Sequence, residues 1–520
     1  MSSTRYGMAK RHHWLAAAIL AACGPQARPH PTAVAAGARC DGAFSDGTRI
    51  NAASPAYLND VPGDQLFCDF HTFAWNQYLY LTQMQPDPNN GNQVTPLFLH
   101  QAPWYNALKP DGSPQPGAFP GGSTALQVSQ LDQGQAGDDD QLLDINNATV
   151  LYDIRFNSDM YNAIVGGNLY TEALYSAACK PDSSGNCANP LYLPPTTVTT
   201  PAAAGSVEIK SAWRDFGTPG ACPAQQFYCN GRLGLVGLHI VQKTQTHGEW
   251  IWMSFEHVAN DPDCYPYGDA PVAPVSPLGT AWSFFNPATA GSAVMSSQIC
   301  EVTGKTPQCN ADPGQSAGSG NVSYRAVNIC RTDYLPPGGA SSANCTLVPD
   351  GPPQQSSNSP GNVACLNATL MPQRMGVWQN YKMIGSLWLR GTTPPTQDFR
   401  IQIFQPQDTS LPYEQPVGFP NLANTMMETW LQSGSTGYDP FGTNATQAGC
   451  FLCHNPPSAS GQFAQDDLSH YPGKLPQAKL RAALGQLVPA SSTTPFTPAP
   501  HPRRPRPVLP LGPARRPAGR

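Results

Sequence analysis

Residues 233–258 read LGLVGLHIVQKTQTHGEWIWMSFEHV and contain two runs rich in β-branched, aliphatic and aromatic residues. The first run covers 233–244 and the second covers 249–258, with the polar sequence Gln-Thr-His-Gly between them. Runs of this composition joined by a short connection that contains glycine are typical of a β-hairpin. The stretch therefore predicts two long core strands that pair with each other.

The remaining periodic segments predict more strands and one helix in the main body. Apolar residues three and four apart in Phe67–Gln83 indicate an amphipathic helix. Asn146-Asn147 predicts a hairpin turn, and the acidic residues near it, Asp138, Asp139, Asp140 and Asp144, are expected to form an exposed turn because their spacing does not fit a calcium loop. Three further strands are expected at 207–213, 381–389 and 399–404, and residues 260–365 are expected to be mostly loop.

The composition of the chain favours strands and loops over helices. Charged residues make up 12%, and 47 Gly plus 56 Pro give 103 of 520 residues. We expect an α+β fold, with a β-rich, loop-rich, disulfide-stapled body and a small helical C-terminal segment. The net charge of −5 gives no electrostatic case for nucleic acid as a partner.

The N-terminus has the features of an export signal. Arg5, Lys10 and Arg11 precede the apolar run WLAAAILAA, which is too short to span a membrane. The run ends at Cys23 in a sequence similar to a bacterial lipobox, which implies lipidation of that cysteine. The alternative is an ordinary signal cleaved after Ala36 or Ala38. We expect an exported lipoprotein, held at a membrane by a lipid anchor at Cys23 and located in the periplasm or at the outer membrane.

Changes in composition divide the chain into five parts. The tail is rich in Pro, Ala and Arg and is expected to be disordered. The predicted parts are a signal peptide at 1–22, a flexible tether at 23–45, a β-rich body at 46–415, a segment at 416–488 that contains Cys450, Cys453 and His454, and the tail at 489–520.

The cysteines suit an oxidising compartment. Of 15 cysteines, setting aside Cys23, Cys450 and Cys453 leaves 12, an even number that permits six disulfides. Close neighbours in sequence are candidates for local bridges, although spacing does not fix the connectivity. These pairs are Cys179/Cys187, Cys222/Cys229 and Cys300/Cys309.

Residues 449–455 read GCFLCHN and contain a C-x-x-C-H. In a helical turn, residues i, i+3 and i+4 share one face, so Cys450 and Cys453 can reach two vinyl groups while His454 reaches the iron of one covalent haem c. Predicted helices at 421–432 and 476–487 flank the motif with apolar faces. A disulfide, a redox dithiol and part of a zinc site are weaker alternatives, because no βαβ pattern or second ligand pair lies nearby.

Several other residues have both a packing interpretation and a functional one. His71 lies within the aromatic pattern of the first helix and is expected to be a packed core residue. His239 and His257, with Glu256, are weighed as a metal site, and core histidines satisfied by hydrogen bonds are preferred. Met426 and Met427 are expected to pack in an apolar core.

GCFLCHN resembles the haem attachment motif of c-type cytochromes over about seventy residues. The resemblance implies thioether bonds at Cys450 and Cys453 and proximal iron ligation by His454. The segments FAWNQYLYLT, VEIKSAWR, LGLVGLHIVQKT, WIWMSFEH and NTMMET are similar to large exported bacterial proteins of the "cytochrome c family", whose reaction is unassigned. In small cytochromes c the sixth ligand is typically a Met after the motif. Here no Met follows His454, and His470 is the expected distal ligand; an open sixth site is the alternative.

These features together predict an exported, single-haem cytochrome that transfers electrons to or from an unidentified redox partner protein. No catalytic residue is assigned. One alternative is a haem enzyme, a peroxidase or an oxidase subunit, with an open iron site. The other is a non-enzymatic, disulfide-rich surface binding protein.

Overall fold

A computed structural model of the chain describes the body and short parts of the C-terminal third. The motif, the predicted helix at 476–487, most of the predicted helix at 421–432, the signal, the tail after Pro489 and the predicted strand at 399–404 lie outside the described residues. The described residues are 40–63, 67–109, 115–120, 126–128, 142–146, 148, 150–171, 173–174, 177, 205–244, 247, 250–262, 275–287, 300–303, 306–309, 331, 359–389, 416–418, 424–427 and 488–489.

One eight-stranded antiparallel sheet organises the body. Seven strands follow the order β13-β12-β9-β8-β6-β5-β3, and β7 pairs with one end of β8. The strands are β3 (Ala102–Pro103), β5 (Val150–Phe156), β6 (Val207–Asp215), β7 (Cys229–Asn230), β8 (Leu233–Lys243), β9 (Trp250–His257), β12 (Tyr381–Leu389) and β13 (Pro416–Gly418). Nearly every residue of the central strands is buried, so both faces of the sheet are covered.

Four helices, three 3-10 turns and three small ribbons make up the other described elements. The helices are α1 (Phe67–Leu81), α2 (Trp104–Ala107), α3 (Ser158–Gly166) and α4 (Ser359–Leu370), with 3-10 turns at Leu97–His100, Met371–Gln373 and Gly376–Asn380. Three two-stranded ribbons lie outside the main sheet. They pair β1 (Met84–Pro86) with β2 (Val94–Pro96), β4 (Gln127–Val128) with β14 (Val488–Pro489), and β10 (Cys300–Thr303) with β11 (Thr306–Cys309).

Helix α1 covers one side of the sheet, which we call the helix face. Alternation along β9 places Phe255 on this face, where it stacks on Tyr78 at 4.2 Å between ring centroids and meets Trp75 edge-on at 5.3 Å. The Gln77 amide donates to Gln242 of β8 at 2.5 Å and to the Leu58 carbonyl at 3.0 Å. Aromatic packing and these amide contacts together fix α1 against the central strands.

The opposite side of the sheet, which we call the polar face, is unusually charged for a buried surface. Side chains alternate along each strand, and the register of β6, β8 and β9 places polar side chains from all three strands on this face. Lys210 lies 5.2 Å from the Tyr152 ring centroid, and Lys243 lies 5.1 Å from that of Trp250. The buried set comprises Glu208, Lys210, His239, Lys243, Ser254 and Glu256.

The described chain begins inside the range that composition assigns to a tether. Cys40 forms a disulfide with Cys68 of α1, and Phe44 is buried in the core. Asp69 accepts from the Ser45 backbone at 2.7 Å and from its hydroxyl at 2.6 Å. Residues 40–45 are thus packed against the start of α1.

The structure confirms the predicted β8–β9 pairing, the first helix, the strands at 207–213 and 381–389, and the mixed helix and strand content. It also confirms the local disulfide between Cys222 and Cys229. Cys300 and Cys309 are paired in the register of β10 and β11, whereas Cys179 and Cys187 lie outside the described residues.

Two expectations about the body were wrong. Asp144 is buried instead of exposed, because it accepts from Arg214 at 2.6 Å and from the backbone of Asn146 and Ala148 at 2.8 Å each. Helix α4 lies in a range expected to be loop, since its Ser-Pro-Gly start resembles a linker. None of the described helices is long and apolar enough to cross a membrane.

We expect Phe255→Ala to lower the free energy of unfolding by about 3–5 kcal/mol, because it removes a fully buried ring that packs against two aromatic residues of α1. Denaturant unfolding followed by tryptophan fluorescence measures the change. Met375→Ala is the matched control, since Met375 is 87% exposed and its loss is expected to change stability by less than about 0.5 kcal/mol. Equal effects of the two substitutions would contradict this packing.

Candidate functional site

The motif residues Cys450, Cys453 and His454 lie outside the described residues, as do His470 and Cys23. The structure does show where the chain is held before it reaches the motif. Residues 424–427 form a turn that is docked on the polar face, 23 positions ahead of Cys450. The predicted helix at 421–432 is described only over these four residues, where the chain is a turn.

A buried carboxylate fixes this turn to the sheet. Glu256 of β9 accepts through Oε1 from the Thr425 backbone amide and from the Thr425 hydroxyl at 2.5 Å. Arg331 Nη1 lies 2.9 Å from the same oxygen and supplies the opposite charge. All three residues are at most 2% exposed. We call Glu256, Arg331 and Thr425 the Thr425 anchor.

Hydrogen bonds from side chains to backbone carbonyls on both sides of Thr425 make the docking specific. The side-chain Nδ2 of Asn424 donates to the Phe255 carbonyl at 2.9 Å, and the Tyr152 hydroxyl donates to the Met426 carbonyl at 2.6 Å. A Cβ at Gly237 would come within 3.0 Å of the Asn424 amide, so the close approach depends on glycine at this strand position. The turn is therefore held by strands β5, β8 and β9 together.

Met426 and Met427 are fully buried and belong to a second apolar cluster. This confirms the packing interpretation of the two methionines. Their neighbours in the cluster include Leu142, Val150, Tyr152, Val236 and Phe284. The apolar cluster and the polar anchor act on consecutive residues of one turn.

His239 and His257 lie on opposite faces of the sheet and cannot share a metal ion. His239 pairs with Ser254, and both lie on the polar face. His257 comes three residues after Ser254 on β9, so it lies on the helix face because side chains alternate along a strand. Glu256 is engaged by Arg331 and Thr425. No group of three or more His, Cys, Asp or Glu side chains in the described ranges could hold a metal ion.

His257 is a core histidine with both ring nitrogens hydrogen-bonded, as the packing interpretation expects. Nδ1 accepts from the Ala259 amide at 3.2 Å, and Nε2 lies 3.0 Å from the Gln226 carbonyl. The ring stacks on Phe227 at 4.0 Å between centroids. Burial lowers its pKa to about 4, although the hydrogen bond to Gln226 opposes the shift.

His71 of α1 is also packed in the core, as expected, but only one of its nitrogens is satisfied. Nδ1 lies 2.7 Å from the Ser386 hydroxyl of β12. Nε2 is buried and has no hydrogen-bond partner among the residues that the structure describes. Burial lowers the pKa of His71 to about 3, so the ring is neutral at physiological pH.

Comparison of the chain with protein-family models, curated proteins and solved structures finds no match.

We expect Thr425→Val to weaken the docking of the turn by about 1–2 kcal/mol, because the hydroxyl bond to Glu256 is lost while the side chain keeps its volume. Faster amide hydrogen exchange at 424–427, measured by mass spectrometry, reports the loss. Thr48→Val is the control, since Thr48 is exposed and far from this turn in sequence. Unchanged exchange in Thr425→Val would show that the anchor does not hold the turn.

The pKa of His257 predicts a pH dependence of stability. An unfolded histidine has a pKa of about 6.5, so the unfolded state binds more protons than the folded state between this pH and pH 4. Stability therefore falls as the pH decreases from 7 to 5. In His257→Asn, that fall should be smaller by about 2 kcal/mol, as measured by denaturant unfolding at both pH values. An identical pH dependence in the variant would contradict this assignment.

Proposed function

We propose that this protein is an exported c-type cytochrome that carries one covalent haem at Cys450 and Cys453, with His454 as the proximal iron ligand. The C-x-x-C-H carries this proposal, because its spacing brings two thiols and an imidazole to one side of a helical turn. The haem iron supplies one-electron redox chemistry when it is bound. The chain supplies attachment, ligation and a surface for the partner.

The disulfides of the body support a separate role for Cys450 and Cys453 of the motif. Cys40–Cys68 and Cys222–Cys229 are disulfides, and Cys365 is disulfide-bonded as well. Structural disulfides are typical of exported proteins. Five body cysteines in the described part of the chain are thus in bridges, which is consistent with another chemistry for the C-x-x-C-H pair.

The Thr425 anchor supports a role for the body in positioning the haem segment. An electron-transfer site needs a defined distance and orientation to its partner, and a freely tethered haem would have neither. The anchor, the Asn424 contact and the buried methionines fix the chain shortly before the motif. We infer that the large body serves as a rigid mount, tied to a membrane through a lipid at Cys23, and that the partner is another redox protein.

Production of the full chain with a cytochrome c maturation system tests this proposal. We expect a pyridine haemochrome spectrum with one haem per chain and a mass increase equal to one haem. Cys450→Ser/Cys453→Ser should abolish both signals, because the two thioether positions are lost. A wild-type protein without covalent haem, and with Cys450 joined to Cys453, would overturn the proposal.

Cys222→Ser/Cys229→Ser is the matched control, because it also removes two cysteines that are close in sequence. These two residues form a disulfide on the body and take no part in the motif. The control should lower stability and retain one covalent haem per chain. Loss of haem from both double variants would point to a folding effect instead of attachment, and the mass of purified folded protein separates the two outcomes.

A further inference from the structure

The chain contains two Asn-Gly sequences, Asn90-Gly91 and Asn230-Gly231, and the structure places them in different settings. Asparagine is a chemically labile residue, because the next backbone nitrogen can attack its side-chain carbonyl carbon and displace ammonia. A following glycine favours this reaction, since it has no Cβ to obstruct the attack. The rate then depends on how easily the backbone reaches the attacking geometry, so the two sites permit a comparison within one molecule.

Asn90 and Gly91 lie at the exposed tip of the β1–β2 ribbon, where every residue from 88 to 94 is exposed. Two backbone hydrogen bonds close the tip, from Asp87 to the Gln93 carbonyl at 2.8 Å and from Gln93 to the Asn90 carbonyl at 2.9 Å. Within the described ranges, the Gly91 N–H donates no hydrogen bond. The nitrogen that attacks is therefore not engaged by the fold.

The side chain of Asn90 is folded toward the peptide that follows it. Its Oδ1 lies 3.4 Å from the Asn92 backbone nitrogen, which is the arrangement of an Asx turn. Because Gly91 lies between these two residues in the chain, the side-chain carbonyl is held alongside the Gly91 backbone. The Asn92 N–H also points at the oxygen on which negative charge develops during attack, and this favours the reaction.

Asn230-Gly231 has the same sequence but is held by the sheet. Asn230 is half-buried and pairs with Leu233 in the β7–β8 ladder, while Gly231 has a φ of 64° in the turn between the two strands. The disulfide from Cys229 to Cys222 holds the preceding residue. Ring closure requires rotation about the asparagine backbone, which would break the ladder pairing and displace the turn. The fold therefore opposes reaction at this second site.

We propose that Asn90-Gly91 is a site of spontaneous deamidation and that the fold protects Asn230-Gly231. The deprotonated Gly91 nitrogen bonds to Asn90 Cγ, and the Cγ–Nδ2 bond breaks as ammonia leaves with the proton, which gives a five-membered succinimide. Water then opens either carbonyl of the ring, so the product is aspartate or isoaspartate at position 90. The reaction needs water alone, and the proposal does not depend on the haem.

Either product changes the loop of the β1–β2 ribbon. A carboxylate at position 90 adds negative charge near the buried Asp87, whose Oδ1 accepts from the backbone of Asn89 at 2.7 Å and of Asn90 at 3.1 Å. Isoaspartate also inserts one methylene group into the main chain of a loop that the Asp87–Gln93 bond closes. The modification therefore loosens the ribbon and spares the main sheet, to which β1 and β2 do not belong.

Ageing of the purified full chain at mildly alkaline pH, followed by peptide mapping with mass spectrometry, tests this proposal. In the folded protein, Asn90 should deamidate at least about tenfold faster than Asn230, and both aspartate and isoaspartate should form. In urea with the disulfides reduced, the two rates should converge, because the ladder no longer holds Asn230. Equal rates in the folded protein, or a ratio that survives unfolding, would overturn the proposal.

Gly91→Ala separates the chemistry from any folding defect. A Cβ at Gly91 meets no atom within 4 Å, and the φ of Gly91 is not in the left-handed region, so the fold accepts alanine. The added Cβ should slow deamidation of Asn90 by about tenfold or more and leave stability unchanged. Gly117→Ala, at an exposed glycine with equal space, is the matched control and should react at the wild-type rate.

Hydrogen exchange at 84–96 reports the effect on the ribbon. It should become faster in aged wild-type protein and in fresh Asn90→Asp, and stay unchanged in aged Gly91→Ala. Deamidation of Gly91→Ala at the wild-type rate would contradict attack by the Gly91 nitrogen. Unchanged exchange in fully deamidated protein would contradict the loosening of the ribbon.

Discussion

The burial of the Glu256 carboxylate connects parts of the chain that are far apart in sequence. A charge in the interior is costly to desolvate and persists only when a counter-charge and hydrogen-bond donors surround it. On β9 these come from Arg331 and from both donors of Thr425. The need of Glu256 for a counter-charge and donors therefore fixes the positions of two later segments, those that contain Arg331 and Thr425. Without those segments, Glu256 would lose its ion pair with Arg331 and both hydrogen bonds from Thr425.

The two faces of the sheet have different roles because their side chains have different chemistry. The helix face buries apolar and aromatic side chains against α1, so it provides most of the non-directional stabilisation. The polar face contains lysines, glutamates and a histidine that need specific partners, so it determines which segment can cover it. Residues 424–427 meet that demand with an anchor, an amide contact and two buried methionines. Directional contacts thus select the docked segment, and apolar packing makes the scaffold rigid.

Features that depend on local pattern could be predicted from the sequence. The β8–β9 hairpin and α1 follow from periodicity and turn residues, which are properties of neighbouring positions. The partner of Glu256 could not be predicted, because Arg331 is 75 residues away and many cations were available. Asp144 was wrongly expected to be exposed because its partner, Arg214 of β6, is also distant in sequence. Helix α4 was missed because its Ser-Pro-Gly start reads as a linker.

His71 shows where sequence patterns and three-dimensional structure give different information about a candidate site. Periodicity places it within an aromatic helix stripe, and the structure confirms that it is packed there. Packing alone, however, does not explain why one nitrogen is held by Ser386 while the other has no partner among the described residues. Ser386 of β12 stabilises one orientation of the imidazole through its hydroxyl. A phenylalanine would fill the same space without an unsatisfied nitrogen. Periodicity therefore identifies a buried position, and only the three-dimensional fold shows which polar atoms at that position have partners.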